Sequence, residues 1–229
     1  MNTSTRLLLQ DNMEVDFKTD KADLIYADMI YENRNFEWVD KYSALIKQDG
    51  VFIVQTDYHS VAELKVYVED NTDFRMLNWL ILKCEFGNFK KDRFRQCHDD
   101  ILIFTRNNNY KWYPERIQVP KATAKSKGLN KSGRTTKLAT SVITDICLTT
   151  VAKERIKKED GKCVRWQKPI ALLDRLFKPF IDEGDFIIDP FMGSGTSAEW
   201  CIRNNVNYVG IEYDSEVYGL ANNRIATME

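Results

Sequence analysis

The sequence predicts an α/β protein built on an open, doubly wound, mostly parallel sheet whose strand order along the chain is circularly permuted. Three observations carry this expectation. Seven short runs are nearly continuous in apolar residues, as parallel strands covered on both faces must be, and helical stretches separate several of them. The segment Phe186-Ile-Ile-Asp-Pro-Phe-Met-Gly-Ser-Gly-Thr-Ser-Ala198 reads as a strand, a glycine loop and the start of a helix. Only one strand follows that unit, Tyr208-Val-Gly-Ile-Glu212, so the strands that complete the sheet around the loop must come from earlier in the chain.

Taken in order, residues 5–10 form a short apolar strand running into Asp11, and Ala22–Asp28 repeats the design, again ending in a carboxylate. Residues 36–47 carry helical spacing at Phe36, Val39, Tyr42 or Ser43, and Ile46, and Gly50 then opens a strand over 51–56. A helix over 61–68, a strand over 78–84 and a strand over 101–105 close this half. From Asn107 the composition changes. Three asparagines lead into scattered Lys and Arg, then into Lys125-Ser-Lys-Gly-Leu-Asn-Lys-Ser-Gly-Arg134, the pattern of a mobile basic loop. Lys168-Pro169 opens a helix over 170–180, and Thr196–Arg203 is the helix after the glycine loop. The expected organisation is one domain in two halves, 1–106 and 164–229, with a basic insert over 107–163.

At 229 residues the chain can bury a full core. Its formal net charge of −1 conceals a separation: 107–163 holds thirteen Lys and Arg against five Asp and Glu, and the remainder holds twenty against twenty-nine. Such a separation suits a polyanion meeting one face, for which nucleic acid is the natural candidate, although a solvated loop has the same composition. The five cysteines, at 84, 97, 147, 163 and 201, form no CxxC pair and no metal spacing. They point to reduced thiols, a cytoplasmic protein and no metal site. A charged-then-apolar leader is absent, as is any apolar run near ~18 residues, so neither secretion nor a membrane partner is expected.

A helix start offers unpaired N–H groups, so the glycine loop suits a ligand with polar or anionic parts, and Glu212 stands where a ribose-binding acid belongs in a nucleotide-type unit. Gly193-x-Gly195-x-x-Ala198 also fits a relaxed dinucleotide fingerprint, and the glycines alone do not separate the two ligand types. Asp189-Pro190-Phe191 ahead of them does discriminate. With Gly210-Ile-Glu212, Trp166-Gln-Lys-Pro-Ile-Ala-Leu-Leu-Asp-Arg-Leu176 and Arg95-Gln-Cys-His-Asp-Asp-Ile-Leu-Ile-Phe104, this motif resembles the β group of DNA amino-methyltransferases over nearly the whole chain, the basic insert least. The resemblance implies a seven-stranded Rossmann-like methyltransferase sheet, S-adenosyl-L-methionine (SAM) as cofactor and DNA as partner. It implies that Asp189, Pro190 and the loop Phe191, Gly193, Ser194, Gly195 and Thr196 line the methionine and ribose part. Glu212, followed by Tyr213, would hold the ribose hydroxyls, Asp11 the adenine amine, and Lys168 and Pro169 the amino-acid end. By position alone Lys168 is equally a surface lysine at a helix start.

Methylating an exocyclic amine requires a weakly nucleophilic nitrogen to attack a sulfonium methyl in line. Acceptors aimed at the amino hydrogens stabilise the charge that develops, and the base must first leave the stack. The family's Asp-Pro-Pro-Tyr motif is matched here by Asp28-Met29-Ile30-Tyr31. The resemblance assigns amine contact to the Asp28 side chain and the Met29 carbonyl, and stacking of the base to Tyr31. Loss of both prolines is expected to loosen the aim of that carbonyl. The leading Asp28 favours adenine N6 over cytosine N4, whose enzymes in this family more often begin the motif with Ser. Lys125, Lys127, Lys131 and Arg134 are the expected DNA contacts, and His98 is expected to be structural. The class implied is a site-specific methyltransferase of the restriction–modification kind. An altered motif in an intact cofactor fold equally suits an inactive, DNA-binding partner subunit in a homodimer or heteromeric complex, whereas the permuted order disfavours a nicotinamide enzyme.

Overall fold

Alternation along the strands decides how the sheet is covered. In β2 (Ala22–Asp28), Leu24 and Tyr26 face one side and Ile25 and Ala27 the other, and all four are buried. β3 (Ile46–Thr56) and β5 (His98–Thr105) divide the same way, with Val51, Ile53, Ile101 and Ile103 opposite Phe52, Val54, Leu102 and Phe104. A two-residue period that is apolar on both faces requires helices on both sides. The first face takes α3 (Ile170–Phe177), α4 (Thr196–Arg203) and α5 (Ser215–Ala226) through Leu172, Phe177, Trp200 and Ala221. The second takes α1 (Glu37–Ser43) and α2 (Val61–Asn71) through Trp38, Tyr42, Leu64 and Val68.

The structure is a computed structural model that describes residues 3–17, 21–29, 34–84, 91–124, 132–146, 154–164 and 166–228. The remaining strands are β1 (Thr5–Leu9), β4 (Arg75–Lys83), β6 (Gln118–Pro120), β7 (Thr136–Leu138), β8 (Val142–Ile143), β9 (Phe186–Asp189) and β10 (Asn207–Glu212). The main sheet runs β1-β10-β9-β2-β3-β5-β4-β8, while β6 and β7 form a separate antiparallel pair. The first five strands are mutually parallel and β5 runs against both its neighbours. Among the described residues no helix is long and apolar enough to cross a membrane.

Two expectations need correction. The sheet has eight strands rather than seven, because Val142 and Ile143 from the basic insert pair in parallel with Ile81 and Leu82 of β4. The first helix ends at Ser43 instead of continuing to 47, since Ile46 already pairs with Ala22 as the start of β3. Arg106 holds this corner by donating to the carbonyls of Ser43, Ile46 and Lys47 at 2.7, 3.0 and 2.9 Å. Elsewhere in 107–163 the described residues make ion pairs with the rest of the fold. Lys111 lies 2.6 Å from Asp185, Arg116 lies 2.9 Å from Asp182, and the Tyr113 hydroxyl donates to Asp182 at 2.6 Å. Lys158 is paired with Glu216 at 2.6 Å, so part of the basic excess is neutralised within the fold. Lys125, Lys127 and Lys131 lie outside the described residues, and Arg134 is exposed.

Candidate active site

In an open α/β sheet ligands lie beyond the carboxyl ends of the strands, where the direction of winding reverses. Here β9 sits between β10 and β2, and these three parallel strands each end in a carboxylate: Asp189, Glu212 and Asp28. A cleft of about 1390 Å³ opens above them, and Asp11, Met29, Trp38, Lys168, Gly193 and Ser194 also line it. Strand ends far apart in sequence thus converge on one site.

The glycine loop is shaped by backbone that other residues resist. Gly193 and Gly195 have φ of +54° and +75°, in the left-handed region. A Cβ at Gly195 would lie 3.0 Å from Ala221 Cβ, so this glycine admits α5 against the loop. Gly195 does not line the cleft, and neither does Pro169, which precedes α3 in extended conformation. In the fold, Gly195 lets α5 pack against the loop and Pro169 precedes the first turn of α3. At the other wall, Glu212 accepts from the Gly193 N–H at 3.0 Å and the Asp214 N–H at 2.9 Å. Burial pushes its pKa up, and these donors pull it back. Tyr213 is mostly exposed on the cleft wall, and Asp11 accepts from the Met13 N–H at 2.8 Å.

Asp189 faces inward. Its carboxylate accepts from the Phe191 N–H at 3.0 Å, from the Ser197 hydroxyl, and from the Tyr208 hydroxyl at 3.3 Å. Its acceptors are therefore engaged in shaping the loop, while Pro190 and Phe191 form the wall, the latter edge-on to Trp38 with ring centroids 5.1 Å apart. Across the cleft, Asp28 ends β2 with Lys168 Nζ 2.7 Å from its Oδ2. Met29 is buried, and its N–H donates to the Gln55 carbonyl at 3.2 Å. A strand-type hydrogen bond and side-chain packing thus hold Met29 through its N–H and its side chain. Tyr31 lies outside the described residues.

The sequence profile of a family described as DNA methylase, covering N6 and N4 methyltransferases, matches residues 12–223. The chain belongs to this family. It is 24% identical over 196 residues to the type II methyltransferase M.HpaI of Haemophilus parainfluenzae, covering 85% of this chain and 59% of that protein. To the type II methyltransferase M.HinfI of Haemophilus influenzae it is 26% identical over 228 residues, covering 98% and 60%. The chain thus spans about three fifths of the length of these relatives. Among solved structures, the M1.HpyAVI–SAM complex matches with a TM-score of 0.71 at 19% identity, covering 96% of this chain and 99% of that one.

Several residues that shape the site were given no role from the sequence. Ser197 and Tyr208 hold Asp189, and Tyr42 and Lys41 donate to the Asn12 carbonyl at 2.9 and 2.8 Å, fixing the turn that carries Asp11. Tyr26, beneath Asp28, donates to Gln55 at 3.0 Å, and Gln55 donates to Asp99 at 3.1 Å. His98 stands 3.8 Å from Asp100, whose other oxygen accepts from Trp79 at 2.7 Å. The inward-facing side of each strand was the available signal for Tyr26 and Tyr208, since a phenol among buried aliphatics needs a polar partner.

Burial raises the Asp189 pKa to about 7, against the hydrogen bonds from Ser197 and Phe191. A carboxylate with a raised folded-state pKa binds its proton more tightly when folded, so its stability contribution declines as pH rises from about 4 to about 7. At ~1.4 kcal/mol per pH unit this decline is bounded at ~4 kcal/mol. Asp189→Asn is expected to flatten the fall in unfolding free energy across that window. Denaturant unfolding at a series of pH values reads it, and an equally steep fall in the variant would place the titrating group elsewhere.

Proposed function

We propose that the chain transfers the methyl group of SAM to an exocyclic amine in DNA, adenine N6 in preference to cytosine N4. The observation that carries the reading is the placement of Asp28 and Met29 at the end of β2, in one cleft with the glycine loop and Glu212. The residues present fit the cofactor. Gly193 keeps open space beside the loop, a carboxylate ends β10 as a ribose diol requires, and the cleft exceeds the ~300–1000 Å³ common for small ligands. When bound, SAM supplies an electrophilic methyl. In the proposed reaction Asp28 and the Met29 carbonyl accept the two amino hydrogens, bringing the nitrogen lone pair to bear, and Tyr31 stacks on the flipped base. The base preference rests on Asp28 alone.

We read the strand order as a permuted doubly wound sheet, since β9 is late in the chain yet central in the sheet. Residues 107–163 are read as the target recognition region, and the likeness to type II enzymes supports a restriction–modification setting. Incubation with labelled SAM and mixed-sequence DNA tests the function. Label on adenine N6 supports it, label on cytosine N4 overturns the base preference, and SAM binding without transfer favours an inactive partner subunit.

The recognition region has its own test. Reversing Lys125, Lys127, Lys131 and Arg134 to Glu is expected to weaken DNA binding, and to lower the slope of log affinity against log salt by up to ~0.9 per lost phosphate contact, with SAM affinity little changed. An unchanged slope would mean that DNA docks elsewhere.

A further inference from the structure

Lys168 is buried to 5% side-chain exposure, and its ammonium lies 2.7 Å from Asp28 Oδ2. It also donates to the Trp166 carbonyl at 3.2 Å, and Trp166 adopts a φ of +62°, rare for a bulky side chain. The chain ahead of α3 therefore turns through an unfavourable backbone conformation beside a buried cation. A buried ammonium is costly unless matched by a nearby negative charge, which Asp28 supplies.

Asp28 in turn shares this end of the sheet with other carboxylates. Tyr26 of β2 feels the charges of Asp28, Asp189 of β9 and Asp99 of β5 together, and these add to burial in raising its pKa. Asp28 also raises the pKa of Asp189. Cys84, after β4, is pushed up to about 12 by burial and Asp99, with Lys168 opposing. Three carboxylates crowd this end of the sheet, and the Lys168 ammonium stands at hydrogen-bond distance from one of them, Asp28. A protonated Asp28 would have one oxygen turned from acceptor to donor and would carry no charge to meet the positive charge developing on the amine.

We propose that Lys168 is a positioning residue that keeps Asp28 ionised and aimed as the acceptor of the target amine, beyond any contact Lys168 makes with the cofactor. This rests on the reading in which Asp28 meets the amine. The role separates from cofactor binding because it survives in the cofactor-free protein. Lys168→Met removes the charge but keeps an apolar stem of similar length, and Lys168→Arg keeps the charge.

The test follows the Asp28 carboxyl carbon by NMR titration of the labelled, cofactor-free full chain, with Asp28→Asn giving the assignment. Methyl transfer against pH and SAM affinity by calorimetry are read on the same variants. In Lys168→Met the Asp28 titration and the acid limb of the rate are expected to move up by about one pH unit or more, because the ion pair no longer favours the charged form. The maximal rate is expected to fall on the order of a hundredfold through loss of aim. In Lys168→Arg the titration is expected to stay near that of the native chain. If Lys168→Met does not fold, Lys168→Gln is titrated in its place. An unmoved Asp28 titration overturns the proposal, and weakened SAM binding alongside it would leave Lys168 as a cofactor residue alone. A moved titration in a chain that methylates no DNA upholds the coupling and refutes the amine role of Asp28, so the two failures are distinct.

Discussion

Asp28→Ala is expected to lower methyl transfer to DNA by ~10²–10³-fold, the usual cost of removing one preorganised transition-state contact, while SAM affinity changes little. Asp28 lines the cleft at the end of β2, whereas the glycine loop and Glu212 belong to β9, α4 and β10. The substitution carries a second cost, because Lys168 loses the carboxylate 2.7 Å away. Stripping one partner from a buried pair costs ~3–5 kcal/mol, so a lower melting temperature is expected as well. Asp28→Asn separates the effects: it keeps the shape and one acceptor, gives up the charge, and should lose rate with a smaller loss of stability. Single-turnover transfer of labelled methyl, with calorimetry on each folded variant, is the measurement. Retention of near-native rates in both variants would remove Asp28 from the chemistry.

The neighbouring Met29 and Ile30 call for a different expectation from the one their sequence suggests. From the motif alone, restoring Met29→Pro and Ile30→Pro should tighten the carbonyl and keep or raise the rate. Met29, however, is buried in the core and donates its N–H to the Gln55 carbonyl at 3.2 Å. A proline there forfeits that bond and the packed side chain. The double variant is therefore expected to gain no activity.

Much of the sheet was legible because its physics is local. Apolar runs such as Leu24 to Ala27 and Ile187 to Ile188 need cover on both faces, and the carboxylates closing β2 and β10, singled out from sequence, line one cleft. What stayed hidden depends on partners distant in the chain. The Lys168–Asp28 pair joins residues that no spacing rule connects, and the burial of Asp189 by Ser197 and Tyr208 follows from α4 and β10 folding back on β9. The pairing of β8 with β4 was hidden for a further reason, since two residues, Val142 and Ile143, make too short a run to carry a period.

Gly193→Asp is expected to weaken SAM binding by more than ~100-fold while the chain still folds. The position adopts a φ of +54°, which Asp tolerates better than most side chains at a cost of ~1–2 kcal/mol. An added Cβ meets nothing closer than the Phe191 carbonyl at 4.0 Å, so the fold has room for it. The damage falls on the ligand. The Gly193 N–H already donates to Glu212 Oε2 at 3.0 Å, which puts the new carboxylate on the loop beside an existing one and turns the local field against a ligand with polar or anionic parts. Gly193→Ala is the control: it carries at least as much backbone strain without the charge, so any further loss of affinity in Gly193→Asp reads the intrusion of the carboxylate. Calorimetric titration of SAM into each folded variant gives the affinities, and DNA binding measured in parallel should be largely retained, because the basic insert does not include this loop. Undiminished SAM affinity in Gly193→Asp would place the cofactor away from the glycine loop, and with it the reading of Glu212 as the ribose-binding acid would fall.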